Sequence, residues 1–450
     1  MKYPIRDMIN RRAAGEKAGM YSACTANAHV LRAVFAAARE HGSAARPVLP
    51  VLIEATANQC NQFGGYTGMV PADFVRFVCT LSREAGYDSS LLILGGDHLG
   101  PLVWQDEPEK TAMAKAEDLV RAYVAAGFRK IHLDTSMRLA DDDAAVRLSD
   151  ETIARRAVRL ALACEEEAAR TGVYPEYVIG SEVPIPGGTQ EEEDGVCVTS
   201  PADFEQTFLA FRTAFEAAGL SDAFARVVGV VVQPGVEFGD DQIIEYNRAK
   251  AADLTRKCGE SAYRQIVFEG HSTDYQTPAS LREMVEDGIA ILKVGPALTF
   301  YFREAVFALA EIEQELGIGD PSDFKAVLES AMQGAPDNWQ KYYRGTEAEQ
   351  AYKRKYSLSD RSRYYFPDDR VREAFAKLIQ NIDRSEAPIS ILSQYLPSAL
   401  ARLRRAGKKA PYAAEDLIEA RIKDVIEEYL YATGDIRDDH CFNRNLIFSQ

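Results

Sequence analysis

Eight short apolar runs recur through the first 316 residues of this 450-residue chain, and stretches with helical periodicity separate them. The runs are GMYSACTA (19–26), VLPVLIEAT (48–56), SLLILGGD (90–97), RKIHLDTS (129–136), YVIGSEVP (177–184), RVVGVVVQP (226–234), QIVFEGHS (265–272) and IAILKVGP (289–296). Between them lie stretches such as PADFVRFVCTLSREAG, EKTAMAKAEDLVRAYVAAG and SDETIARRAVRLALACEEEAAR. Ser149, and Ser200 followed by Pro201, mark helix starts, because a serine oxygen accepts from the free amides of the first turn. Apolar strands that each lead into a helix belong in a parallel sheet covered on both faces. Eight such units close into a (β/α)8 TIM barrel, expected here over residues 1–316. An open doubly wound sheet is the alternative, but no GxGxxG follows the first run. Residues 317–450 break the rhythm. They are helical and rich in tyrosine and charge (NWQKYYRG, KYSLSDRSRYYFPDDR, DLIEARIKDVIEEYLYATG), which predicts a helical extension packed on the barrel or on a partner.

A barrel of this kind carries its chemistry where the strands end, and the polar residues collect there. The second run ends at Glu54, the third at Asp97 and His98, the fifth at Glu182, the sixth at Gln233 and the seventh at Glu269 and His271. The fourth carries His132 and Asp134, two apart and therefore facing the same way. The eighth offers Lys293 and Gly295. A buried carboxylate is costly without a partner, so acids gathered at one level need mutual pairing or a cation. Two imidazoles and a carboxylate form a frequent catalytic Zn²⁺ ligand set, and His98, Glu182 and His271 provide one. His132, deeper in its run, reads equally as a further ligand or as a structural residue behind the ligands. Glycines accompany the acids (Gly64, Gly65, Gly95, Gly96, Gly187, Gly188, Gly270, Gly295), serving tight loops or the close approach of backbone amides to a phosphate. Gln233, Ser272, Lys293 and Gly295 are accordingly the candidate substrate and phosphate contacts. No GxxxxGK[ST] loop is present, so phosphoryl transfer from a nucleotide has little support.

The formal net charge of −16 excludes a nucleic-acid surface and leaves an anionic substrate dependent on local amides or cations. No run of ~18 apolar residues could span a membrane, and no apolar leader begins the chain, so the expected compartment is the cytoplasm. The seven cysteines are scattered without a CxxC pair, which suggests neither a disulfide framework nor a thiolate zinc site.

The segments IEATANQCNQFGGYTGM, ILGGDHLGP, IHLDTSM, IGSEVPIPGG, VVQPGVEF, EGHSTDYQT and ILKVGPALTF closely resemble the Z-type subunits of class II D-tagatose-1,6-bisphosphate aldolase. The resemblance runs on through WQKYYRG, YSLSDRSRYYFP and ILSQYLPSAL, and so spans nearly the whole chain. It implies a barrel related to class II aldolases, acting in galactitol or N-acetylgalactosamine catabolism. By that resemblance, Asp97 and His98 match the catalytic aspartate and first metal ligand, and His271 matches the last histidine. Glu182 stands where the aldolases have a histidine, which keeps a ligand but makes the metal a weaker Lewis acid. The family implies two roles. One is a metal-dependent C4 epimerase of D-tagatose 6-phosphate, in which Asp97 takes the C4 hydroxyl proton. A route moving a proton on and off one carbon would instead use two of Glu54, Asp134 and Glu269. The other role is a non-catalytic, stabilising partner of a separate catalytic class II aldolase subunit. The kinase label carried by some related chains conflicts with the missing nucleotide loop. A homo-oligomer is compatible with either role.

Overall fold

The eight strands of a closed ring fall in the eight expected runs, the third running on through Leu99 and the fifth starting at Glu176. These are β1 (Met20–Cys24), β2 (Val51–Thr56), β3 (Leu92–Leu99), β4 (Lys130–Leu133), β5 (Glu176–Ile179), β6 (Val227–Val232), β7 (Val267–Gly270) and β8 (Ile289–Val294) in a computed structural model that describes residues 4–42, 46–181 and 196–436. Every neighbouring pair is parallel, and β8 returns to β1 in register Met20↔Ile291, which rules out the open sheet. Helices alternate with the strands, and the serine caps form: Ser149 accepts from the Thr152 N–H and Ser200 from the Asp203 N–H. A two-residue antiparallel hairpin, Glu237–Phe238 with Ile243–Ile244, follows β6 and has no counterpart in the apolar pattern.

The N-terminal end of the barrel is closed. Helix Pro4–Ala13 lays Ile5, Met8 and Ile9, spaced as one helical face, against Met20, Leu52, Ile93, Val178 and Ile291 from inside the ring. Arg6 pins the helix by donating to the carbonyls of Gln265 (2.8 Å) and Ala225 (3.2 Å), just ahead of β7 and β6. Burying each of these apolar side chains contributes on the order of 1.5–3 kcal/mol. The barrel therefore opens at its C-terminal end, where the polar residues lie.

Among the described residues, six α-helices follow the barrel's last helix, Pro296–Glu315. The final one, Ala414–Thr433, packs on Ala28–Glu40, Pro278–Glu286 and Pro296–Glu315. Its Leu417, Ile418, Ile422 and Ile426 join the same apolar core as Val30, Val34 and Leu298. The segment 357–366 crosses to the open mouth. It is tied there by the buried Asp360 carboxylate, which accepts from Thr299 Oγ1 and Arg303 Nε, both at 2.7 Å. Among the described residues, no helix is long and apolar enough to cross a membrane.

Candidate functional site

Adjacent residues of a regular strand point to opposite faces, so Asp97 and His98 should not both reach the barrel interior. A register shift allows it. β3 pairs with β4 at Gly96↔Ile131 and next at Leu99↔Leu133, so Asp97 and His98 together oppose His132. This is a β-bulge, which kinks the strand and re-aims its side chains. His98 takes a left-handed φ of 48°, uncommon for a residue with a Cβ and typical of functional sites. The two preceding glycines are required by packing. A Cβ on Gly95 would fall 2.5 Å from Glu54 Oε1, and one on Gly96 would fall 2.4 Å from Leu99 Cδ1.

His98, His132 and His271 form a triangle of buried imidazoles with ring centroids 5.1, 4.9 and 5.3 Å apart. One ligand atom from each, plus one from Asp97, all lie within 4.8 Å of one another. Each ring has a carboxylate on one nitrogen. His98 Nδ1 is 2.9 Å from Asp134 Oδ2, His132 Nδ1 is 3.0 Å from Asp97 Oδ1, and His271 Nε2 is 3.0 Å from Glu269 Oε1. The His98 backbone N–H also points at His132 Nδ1 (3.2 Å), but the nearer negative charge of Asp97 favours a proton on that nitrogen. A carboxylate behind each histidine fixes ring and tautomer and leaves the opposite nitrogen for a cation. His132 Nε2 is buried with no hydrogen-bond partner among the described residues, an orphan that such a cation would satisfy.

The charge balance agrees. Below the imidazoles, fully buried Lys130 places Nζ 2.5 Å from Glu54 Oε1 and 2.8 Å from Glu269 Oε2. Lys293 pairs with Glu54 and, at 2.9 Å, with Asp97 Oδ1. Among the described residues, four buried carboxylates (Glu54, Asp97, Asp134, Glu269) thus face two ammonium groups. A divalent ion closes that gap. Without one, His98 takes up part of the charge. Burial opposes its protonation, yet Asp97, Asp134 and Glu269 together raise it to about 9. Burial likewise opposes ionisation of Asp97, but the three imidazoles hold it well below the usual carboxylate range. Against the same burial, His98 brings Asp134 to about 2, and Lys130 with His271 brings Glu269 to about 2. Burial, with His98 adding to it, lowers His271; burial brings Lys293 to about 8 and, with Asp97, raises the Cys24 thiol to about 12. The residues present therefore fit a divalent cation.

A cleft opens above this cluster. Asp97, His98, His271, Ser272, Lys293 and Gly295 line it. Glu54, Asp134 and Glu269 are buried behind the lining, holding Lys130, Lys293 and the histidines. Gln233 stands apart, its Oε1 closing a turn by accepting from the Gly235 and Val236 amides. The Gly295 N–H already donates to Asp274 Oδ1 (3.0 Å). Glu182, with Gly187 and Gly188, lies outside the described residues. Sequence reasoning did not single out Lys130, Cys24, Phe238, Arg363 or Tyr364. The lysine inside the apolar run RKIHLDTS was a legible signal. Arg363 and Tyr364 come from the extension, where strand-end logic does not reach.

The model of a family described as D-tagatose-1,6-bisphosphate aldolase subunit GatZ/KbaZ-like matches residues 5–434. Among solved structures, the chain is similar to a probable tagatose 6 phosphate kinase from Sinorhizobium meliloti 1021. The identity is 43% and the TM-score 0.82, over 92% of this chain and 100% of that one. The fructuronate-tagaturonate epimerase UxaE from Cohnella laeviribosi shares the fold, with 12% identity and a TM-score of 0.50 over 93% of this chain and 82% of that one.

Proposed function

This chain belongs to the D-tagatose-1,6-bisphosphate aldolase subunit GatZ/KbaZ-like family, and from that premise we propose that it is a divalent-metal-dependent enzyme epimerising D-tagatose 6-phosphate to D-fructose 6-phosphate at C4. His98 and His271 would hold the ion, taken as Zn²⁺ because imidazole and carboxylate donors suit it, with Glu182 or His132 as the third ligand. The ion's contribution when bound is polarisation of the ketose C2 carbonyl, which eases the negative charge left on the sugar by C3–C4 cleavage.

The observation that carries this reading is the position of Asp97. Of the four acids expected to do proton chemistry, it is the one that lines the cleft, beside His98 and His271. Its carboxylate is ionised, and its place in the cleft wall is what would let it take the C4 hydroxyl proton as the C3–C4 bond breaks. The aldehyde fragment then turns within the cleft and is attacked on its other face, and Asp97 returns the proton to the new C4 oxygen. Glu54, Asp134 and Glu269 act behind it as counter-charges that orient the histidines and lysines. Asp274, the other carboxylate lining the cleft, is engaged by the Gly295 and Ala297 amides, so the arrangement favours bond cleavage and re-formation over a route needing two free acids at one carbon.

The test is turnover by the purified chain alone, with Zn²⁺ and D-tagatose 6-phosphate, followed by carbon NMR. D-Fructose 6-phosphate should appear, and a chelator should abolish it. The word subunit in the family's description favours a second reading, a stabilising partner of a catalytic aldolase. No turnover by the chain alone, with aldolase activity gained by a separate catalytic subunit on its addition, would establish that role instead.

A further inference from the structure

An anionic group entering a protein of net charge −16 must be met by local cations. Within the cleft the barrel supplies Lys293, already occupied by Glu54 and Asp97. The extension supplies Arg363, which lines the same cleft with Tyr364. Its Nη1 donates to the Ser359 and Asp360 carbonyls, the latter at 3.0 Å, and its Nη2 donates to the Tyr364 hydroxyl at 3.2 Å. A guanidinium has five N–H donors. The Nε–H and one Nη2–H therefore lack an acceptor among the described residues, and no carboxylate there lies within ion-pair distance. Arg354, Arg402 and Arg421 elsewhere in the extension are neutralised, by Glu329 and Glu347, by Asp424 and Glu427, and by Glu304 and Asp424, and Arg361, which also lacks an ion pair among the described residues, does not line the cleft.

The arm that carries Arg363 is rigidly held. Asp360 takes Thr299, Arg303 and Ser362 on its carboxylate. The Tyr275 hydroxyl donates to the Leu358 carbonyl, and Tyr66 packs edge-on against Tyr364 at 4.6 Å. Asp274 and Asp360 act on Arg363 only from beyond ion-pair distance, and a partly desolvated cation with no carboxylate in contact is costly. Fixed in a cleft wall with two donors unspent, it is a preorganised receptor for an anion. A fork of N–H donors matches phosphate geometry better than a point charge does.

We propose that Arg363 is the specificity-determining residue of the cleft, receiving the terminal phosphate of a ketose phosphate whose carbonyl end lies at the His98–His271 cluster. This rests on the metal-dependent ketose-phosphate reading above, and it makes the extension part of the substrate site.

Calorimetric titration of the Zn²⁺-loaded full chain tests it, with D-tagatose 6-phosphate, D-tagatose and the hexulosonate D-tagaturonate as probes. Wild type should prefer the phosphate ester to the free sugar. Arg363→Ala should weaken ester binding about 10- to 100-fold, as expected for lost charge-assisted hydrogen bonds, and shrink the ester-to-sugar ratio to match. Arg363→Lys should recover part of the ratio, because it keeps the charge and loses the fork. A wild-type ratio in Arg363→Ala overturns the assignment, as does a wild type that binds the hexulosonate better or shows no preference for the ester. Binding is read without turnover, so the two proposals fail separately. Tight ester binding without epimerisation refutes the reaction alone, and turnover with an unchanged ratio in Arg363→Ala refutes the Arg363 assignment alone.

Discussion

Replacing Lys130 with methionine removes the cation on which the layer beneath the site depends. Lys130, Glu54 and Glu269 are all 0% exposed, and the lysine ammonium sits between the two carboxylates at 2.5 and 2.8 Å. Methionine fills most of the lysine stem and supplies no charge. Breaking a buried ion pair by removing one partner costs about 3–5 kcal/mol, because the other charge stays buried and uncompensated. Here Glu54 keeps Lys293 and Glu269 keeps His271, so the lower end, about 3 kcal/mol, is expected. The cost should depend on pH. Without Lys130 the Glu269 carboxylate loses the cation that does most to hold it at about 2, and burial then raises it above its unfolded value, near 4.3. Such a group destabilises increasingly as pH rises from the unfolded value to the raised folded one. Urea denaturation of metal-free protein should therefore show a larger deficit at pH 8 than at pH 5.5, and adding Glu269→Gln should recover part of it. A deficit below about 0.5 kcal/mol at pH 8, the size of an ordinary surface change, would refute the reasoning. So would a larger deficit that is flat across pH.

Asp97→Asn should retain one metal equivalent and lose at least about 100-fold in epimerisation rate, the usual contribution of a positioned base; a wild-type rate by NMR would remove Asp97 from the chemistry. In the metal-free chain His98 rises from 6.5 to about 9, so its stabilisation is complete below pH 6.5 and is lost as pH climbs toward 9. Apo melting temperatures should fall between pH 6.5 and 8, before Lys293, brought to about 8, begins to offset the loss, and a flat profile there would contradict the charge deficit. Gly95→Ala presses a methyl group against Glu54 and should cost about 1–3 kcal/mol by thermal denaturation, the range for overpacking; an unchanged melting temperature would show that Glu54 has room to move.

The barrel was legible because eight apolar runs, each leading to a helix, leave few ways to bury both faces of a sheet. Position along a strand was legible too, which is why Asp97, His98 and His271 were found together at the cleft. Depth was not. Counting to a strand end placed Glu54, Asp134 and Glu269 on the same face as Asp97, but it could not tell a side chain lining a cleft from one sealed behind it. That distinction depends on Lys130 and on the bulge, and a bulge exists only in the register between two strands. The closing helix Pro4–Ala13 shows its Ile5, Met8 and Ile9 face in sequence, yet nothing in ten residues says what that face covers. Arg363 lies 70 residues of helix and turn beyond Lys293, and only folding of the extension brings the two into one cleft.

All that is proposed for this cleft depends on a divalent ion at His98 and His271. Titration of Zn²⁺ into chelator-stripped chain at pH 7.5, in two buffers of different ionisation enthalpy, tests that dependence most directly. One equivalent should bind with release of a proton, since His98 at about 9 is still protonated there. His98→Ala and His271→Ala should each abolish the binding. No binding by wild type, or a full equivalent retained by both variants, would contradict the metal centre and the reaction built on it.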